Sequence, residues 1–224
     1  IGVDNLKDIN EKYGKDAGDE ILSYTSECVK ESAKGIGKVY RMDGDEIMVL
    51  CESYDTMEGD PAKELYDDIR ERVDEYILKS GYQIFYTISG GSVFFDKKSA
   101  GDIEMIEKAG FSLREAKRQG KNACVRYSQE RYDEYLRKLD MQEELRKAIN
   151  NNFDGFEMYY QPIVNIEKRC ILGAEALIRW NNEKFGRVSP GAFIPLLEES
   201  GLIIPVGRWI IKTAMEQCKK WQAV

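Results

Sequence analysis

The acidic run Asp43-Gly44-Asp45-Glu46 stands between two short stretches rich in apolar and β-branched residues, Lys38-Val39-Tyr40-Arg41 and Ile47-Met48-Val49-Leu50-Cys51. Asp-Gly in that setting predicts a hairpin of two antiparallel strands with acids at its tip. Carboxylates gathered beside exposed backbone N–H groups suit a divalent cation bound by oxygen, typically Mg²⁺ (or Mn²⁺) holding a phosphate. A solvated acidic turn is the other reading that this segment allows. The chain contains no histidine, so any acid–base or metal chemistry must run on carboxylates, Lys, Arg and a hard metal. Five cysteines, Cys28, Cys51, Cys124, Cys170 and Cys218, are widely spread without a C-x-x-C pair. That spacing excludes the usual zinc and dithiol motifs and is read as buried free thiols in a reducing, cytoplasmic setting. The net charge of -7 argues against a nucleic-acid polymer and favours a small nucleotide held locally by a few cations or a metal.

The elements that must position these residues follow from periodicity. With 224 residues, 42% hydrophobic and 33% charged, the chain reads as two soluble globular domains. No apolar run approaches the roughly 20 residues of a membrane span, and no signal-peptide pattern is present. Ile1-Gly2-Val3 reads as the tail of a strand, with more chain expected upstream. Helices are predicted over Asn5 to Tyr13 and Asp16 to Lys34, punctuated by Gly14 and Gly35. After the hairpin, Pro61 opens a helix whose stripe is Leu65, Ile69, Val73 and Ile77, ending near Gly81. Gln83 to Phe95 alternates as a strand, with Gly90-Gly91 marking a bulge or a close approach. A helix over Asp102 to Gln119 and a strand over Ala123 to Tyr127 complete an α/β unit with a mixed sheet. Gln129 to Asn152 lacks Gly and Pro and spaces Tyr132, Tyr135, Leu139, Leu145 and Ile149 on one helical face. It is either a connecting helix or a terminal helix packed on the first domain. Strands Phe156 to Ile166 and Cys170 to Trp180, joined by Glu167-Lys168-Arg169, should pair antiparallel. Ser189 and Pro190 open a helix that Gly201 ends, and a last helix runs from about Pro205 to Gln222.

The hairpin resembles the signature of the GGDEF (diguanylate cyclase) family, with Asp43-Gly44-Asp45-Glu46-Ile47 where the family has Gly-Gly-(Asp/Glu)-Glu-Phe. Asn5-Leu6-Lys7-Asp8-Ile9-Asn10, Tyr13-Gly14, Gly18-Asp19-Glu20 and Ala116-Lys117-Arg118-Gln119-Gly120-Lys121-Asn122 follow in the family's order and spacing. The resemblance implies that Asn10 and Asp19 read the guanine of GTP, and that Lys117 and Lys121 contact its phosphates from one helical turn apart. It also places Lys7 beside the phosphates, makes Asp45 a metal ligand and puts Glu46 in the catalytic signature. The family's second metal carboxylate would stand at Gly2, which has no side chain. Asp43 adds a negative charge where the family has glycine, and could supply a carboxylate from the turn. The inhibitory product site would fall on Lys34 and Gly37 and is absent.

Residues 153–224 resemble the opening of the EAL family of cyclic-di-GMP phosphodiesterases through Tyr160-Gln161-Pro162-Ile163, Glu175-Ala176-Leu177-Ile178-Arg179-Trp180, Ser189-Pro190, Phe193-Ile194-Pro195 and Glu199-Ser200-Gly201-Leu202-Ile203. That resemblance implies a modified (β/α)8 barrel of about 250 residues whose first strand runs antiparallel, with only its first third present. It also implies that Glu175 is a metal ligand and that Gln161, Leu177 and Arg179 hold cyclic-di-GMP. The expected organisation is a degenerate GGDEF domain over 1–127, a linker helix over 128–152 and the N-terminal part of an EAL domain over 153–224. The expected function is a regulatory GTP-binding module for a phosphodiesterase, with a homodimeric weak cyclase and a non-cutting cyclic-di-GMP receptor as alternatives. Apolar residues such as Ile163, Val164, Leu172, Ala174, Leu177, Ile194 and Ile210 are expected to lack the rest of a barrel to cover them.

Overall fold

The computed structural model describes residues 1–51, 59–80, 84–94 and 102–223 and divides the chain into two compact units, Ile1–Gln129 and Glu130–Val224. The first unit runs β1 (Gly2–Val3), α1 (Leu6–Tyr13), α2 (Lys15–Ser32), β2 (Gly37–Arg41), β3 (Ile47–Cys51), α3 (Pro61–Ser80), β4 (Ile88–Ser92), α4 (Asp102–Arg118) and β5 (Cys124–Arg126). The alternation of β-branched runs with 3.6-period stripes gives this order, as expected. The sheet is mixed: β1 pairs antiparallel with β4, while β4 pairs parallel with β5.

Its core joins the inner faces of α1, α2 and α3 to this sheet. Tyr66, Ile69, Val73 and Ile77 form the buried stripe of α3 and meet Val3, Ile21, Val29 and Ile88. Leu65 lies at the margin, partly buried. Tyr66 is amphipathic, and its buried hydroxyl donates to the carbonyl of Ile88 at 2.9 Å, so the ring is accommodated without an orphaned polar group.

The strand read over Gln83 to Phe95 is shorter than its alternation suggests. Ladder pairing is confined to Ile88–Ser92, because β1 and β5 offer only two and three residues to pair with; Gln83 and Phe95 themselves lie outside the described residues. The glycine pair marks a close approach. A Cβ on Gly91 would stand 2.2 Å from the Leu113 nitrogen and 2.4 Å from the Ala109 oxygen. Those are backbone atoms of α4 and cannot swing aside as a side-chain tip could. Gly91→Ala is therefore expected to push α4 off the sheet and cost about 2 kcal/mol, read as a lowered urea midpoint at unchanged slope.

The second unit contains most of α5 (Gln129–Asn150), then β6 (Phe156–Asn165), β7 (Cys170–Asn182), β8 (Gly186–Val188), α6 (Pro190–Glu199) and α7 (Ile203–Gln222). β6 and β7 pair antiparallel, as their short connection requires, with a register shift between Ile163 and Val164. Sequence reasoning missed β8, a short strand that returns along β7 through an Asn182–Gly186 turn. The sheet is open, with no closed barrel among the described residues. Ser189 occupies the N-cap in an extended conformation but makes no side-chain capping bond.

One sheet face packs on the helices around an aromatic centre. Phe156 stacks on Trp180 at 5.9 Å between centroids and meets Phe193 edge-on at 6.1 Å. Met141, Leu145 and Ala148 from the second half of α5 belong to this core, whereas Leu136 and Leu139 in its first half are exposed. Exposure of Ile163, Val164, Leu172 and Ala174 agrees with the uncovered faces expected; Leu177, Ile194 and Ile210 are half-buried, the last two against the core. One expectation is corrected. All five thiols are free, but only Cys28 is buried, and Cys170 and Cys218 are exposed because they sit on the outer faces of β7 and α7. Burial pushes the Cys124 thiol up to about 11, so it is protonated and inert at neutral pH.

Candidate functional site

The hairpin tip meets the end of β1. Its connection, residues 42–46, is longer than a two-residue Asp-Gly turn: Met42 N–H donates to the Glu46 carbonyl at 3.0 Å and Glu46 N–H to the Asp43 carbonyl at 2.9 Å. Gly44 takes φ 55 in that inner turn, a conformation that favours glycine. Glu46 bridges to Gly2 and Ile47 N–H donates to the Ile1 carbonyl at 2.8 Å, which brings Asp45 beside Gly2. Asp43 stays exposed.

Lys117 reaches into this junction from the last turn of α4. Its Nζ donates to Asp45 Oδ2 at 2.8 Å, with the two side chains 29% and 27% exposed. The expectation that Lys117 and Lys121 share one helical face is corrected. α4 ends at Arg118, and Gly120, Lys121 and Asn122 all have positive φ. Lys121 N–H donates to the Ala116 carbonyl at 3.1 Å, the six-to-one bond of a glycine C-cap. The chain thus turns back, and Lys121 Nζ bonds the Asn5 side chain. The two lysines bracket the β1–α1 turn, one at Gly2 and the other at Asn5.

Asp4 holds that turn in place, and sequence reasoning missed it. It is 1% exposed, yet accepts from Thr87 Oγ1 at 2.7 Å, Ser89 Oγ at 2.8 Å and the Asn122 N–H at 3.1 Å. A buried carboxylate needs such donors. The available signal was an acid directly after an apolar strand end, beside a hydroxyl-bearing strand at Thr87 and Ser89.

Asn10 lies on α1 against the bare Cα of Gly18: a Cβ there would fall 1.8 Å from Asn10 Oδ1. That oxygen is buried and has no hydrogen-bond partner. Asp19 follows on α2 and is exposed. Lys7 is 88% exposed and faces Glu11 at 3.7 Å one turn along α1. Glu46 is half-buried at the bridge to Gly2.

For a dication the donor set does not fit. Gly2 contributes no side chain, the Asp45 oxygen nearest it is already paired with Lys117, and no group of three Asp, Glu or Cys side chains suited to a metal exists among the described residues.

In the second unit Gln161 stands opposite Glu175, Tyr159 opposite Leu177 and Glu157 opposite Arg179. Alternation along a strand puts these six side chains on one face, the face not packed on the helices. Arg179 lies over the Tyr159 ring at 5.6 Å and Arg187 of β8 at 5.3 Å, so two guanidiniums are gathered by one half-exposed aromatic ring. Glu175 is exposed and Leu177 and Arg179 are half-buried.

Family models match in the same order as the two units: the diguanylate cyclase GGDEF domain over residues 1–123 and the EAL domain over residues 142–224. The chain belongs to the diguanylate cyclase GGDEF family. Within its second unit, residues 142–224 match the EAL domain. Over 214 residues it is 29% identical to the cyclic di-GMP phosphodiesterase NbdA of Pseudomonas aeruginosa, covering 96% of this chain and 27% of NbdA. It is 26% identical over 221 residues to the bifunctional diguanylate cyclase/cyclic di-GMP phosphodiesterase MucR of the same organism, covering 99% of this chain and 32% of MucR. The chain thus spans no more than 32% of the length of these two relatives. The active GGEEF domain of a diguanylate cyclase from Vibrio cholerae is 26% identical, with TM-score 0.48, and the match covers 57% of this chain and 80% of that one. No helix among the described residues is long and apolar enough to cross a membrane.

Proposed function

We propose that this chain is a cyclic-di-GMP signalling module in which the GGDEF unit binds GTP without cyclising it and regulates an EAL phosphodiesterase. The observation that carries this reading is the junction of Gly2, Asp45 and Lys117. The hairpin that should hold a catalytic cation is closed by an ammonium, while the residues proposed to read the nucleotide persist. Asn10 and Asp19 supply the acceptors that a guanine edge, offering N–H donors, would use. The orphaned Oδ1 of Asn10 would be relieved by such a donor after a small rotation of the amide. Lys121, and the two donors that Lys117 does not spend on Asp45, would meet the phosphates.

In the EAL part, the open face bearing Gln161, Glu175, Leu177 and Arg179 supports contacts to cyclic-di-GMP, with Arg179 on a phosphodiester oxygen. Hydrolysis and the Glu175 metal site belong, in this reading, to the longer protein. Residues 128–152 link the two domains, and a cytoplasmic homodimer is the assembly proposed. Calorimetric titration with GTP tests the reading. Asp19→Ala is expected to weaken binding by about 1.5–3 kcal/mol, the value of a charge-assisted hydrogen bond. Absence of GTP binding by the unmodified chain would leave the unit a structural adaptor.

A further inference from the structure

Three groups compete for one small volume at the end of β1. A side chain on residue 2 would place its Cβ 2.9 Å from Lys117 Nζ and 3.4 Å from Asp45 Oδ2. The ammonium and that carboxylate oxygen are themselves 2.8 Å apart. Mg²⁺ bound to the same oxygen would sit about 2.0–2.1 Å from it, next to the ammonium. Two cations that close repel, so the ammonium and a metal compete for Asp45.

We propose that Lys117 is the built-in cation of this site: its ammonium replaces a divalent metal at Asp45, and the phosphates of a guanine nucleotide are held there without one. The proposal rests on the preceding reading that the unit binds such a nucleotide. Glycine at position 2 is what makes room for the exchange. A surface ion pair with i,i+4 geometry would arise from helix spacing alone, whereas this one joins residues 72 apart in sequence and is more than two-thirds buried. Its two members come from the hairpin tip and the C-terminal turn of α4, the two elements that border the β1–α1 turn. An ammonium carries three donors and needs one for Asp45; the other two, with Lys121 held across the turn by Asn5, give a doubly cationic cradle for phosphate oxygens.

Two measurements on the 224-residue chain test this independently. In calorimetric titrations with GTP in EDTA and in excess Mg²⁺, the two dissociation constants are expected to agree within about threefold. For Lys117→Met, which leaves Asp45 unpaired, binding in EDTA is expected to weaken by more than about tenfold relative to Mg²⁺. Tighter binding of the unmodified chain in Mg²⁺ by more than about tenfold, or a Lys117→Met variant that stays indifferent to Mg²⁺, overturns the proposal. The second measurement uses Mn²⁺ alone, followed by electron paramagnetic resonance. The unmodified chain is expected to bind no Mn²⁺ that Asp45→Asn removes, and Gly2→Asp/Lys117→Met is expected to gain one such ion. Mn²⁺ binding by the unmodified chain that Asp45→Asn abolishes overturns the proposal even if no GTP binds, a result that separately sinks the nucleotide reading.

Discussion

Incubation of the chain with GTP and excess Mg²⁺ or Mn²⁺ is expected to yield cyclic-di-GMP at least about a thousandfold more slowly than the turnover of roughly 10 s⁻¹ common among enzymes. Charge develops on phosphate oxygens as a phosphoryl group is transferred, and catalysis depends on positive charge fixed in advance at that position. Here the position-2 carboxylate is missing and the remaining Asp45 oxygen is held by Lys117. A monocation bonded to a carboxylate polarises an α-phosphate far less than a dication does. Asp43, an acid in the turn that could substitute, is exposed. Chromatographic assay of the nucleotide pool is the direct measurement. Product appearing at an ordinary rate would replace the regulatory reading with an active cyclase.

Asp4→Ala is expected to destabilise the first unit by about 4 kcal/mol, the largest single stability effect in the site. Truncation removes the acceptor of two hydroxyls and one backbone N–H, and Ala cannot offer any of them a partner. Thr87 and Ser89 belong to the β4 region and Asn122 to the turn that carries Lys121, so one carboxylate fastens three segments. Asp4→Asn keeps one acceptor oxygen and should recover part of the loss. Urea unfolding followed by circular dichroism measures both variants; a shift under about 1 kcal/mol for Asp4→Ala would show that water replaces the carboxylate.

What the sequence made legible was local. Val73 and Ile77 announce the buried stripe of α3, Asp43-Gly44 the hairpin, and Glu167-Lys168-Arg169 a connection too short for anything but antiparallel pairing. What it concealed was tertiary. Lys117 and Asp45 lie far apart in the chain, so neither residue's neighbours reveal that they pair, and the charge of Lys117 alone suggests only a phosphate contact. The fault at Lys121 was different in kind. Gly120 already marked the end of α4, yet extending helical spacing across it put two lysines on one face when the chain in fact turns back. Strand length at Gln83 to Phe95 was overread for a third reason: alternation reports which residues tolerate a pleated surface, not how many find a partner strand.

The aromatic centre of the second unit has an optical consequence. All three tryptophans of the chain, Trp180, Trp209 and Trp221, fall in Glu130–Val224. The first unit therefore emits through tyrosine alone, from rings such as Tyr24, Tyr66, Tyr76 and Tyr86. Excitation at the red edge of the indole band reports the EAL part and is blind to the other unit. Trp180 is fully enclosed while Trp221 is 50% exposed, so a soluble quencher should extinguish the emission in two unequal fractions. The second unit can thus be watched unfolding, or answering a ligand, without cutting it from the first.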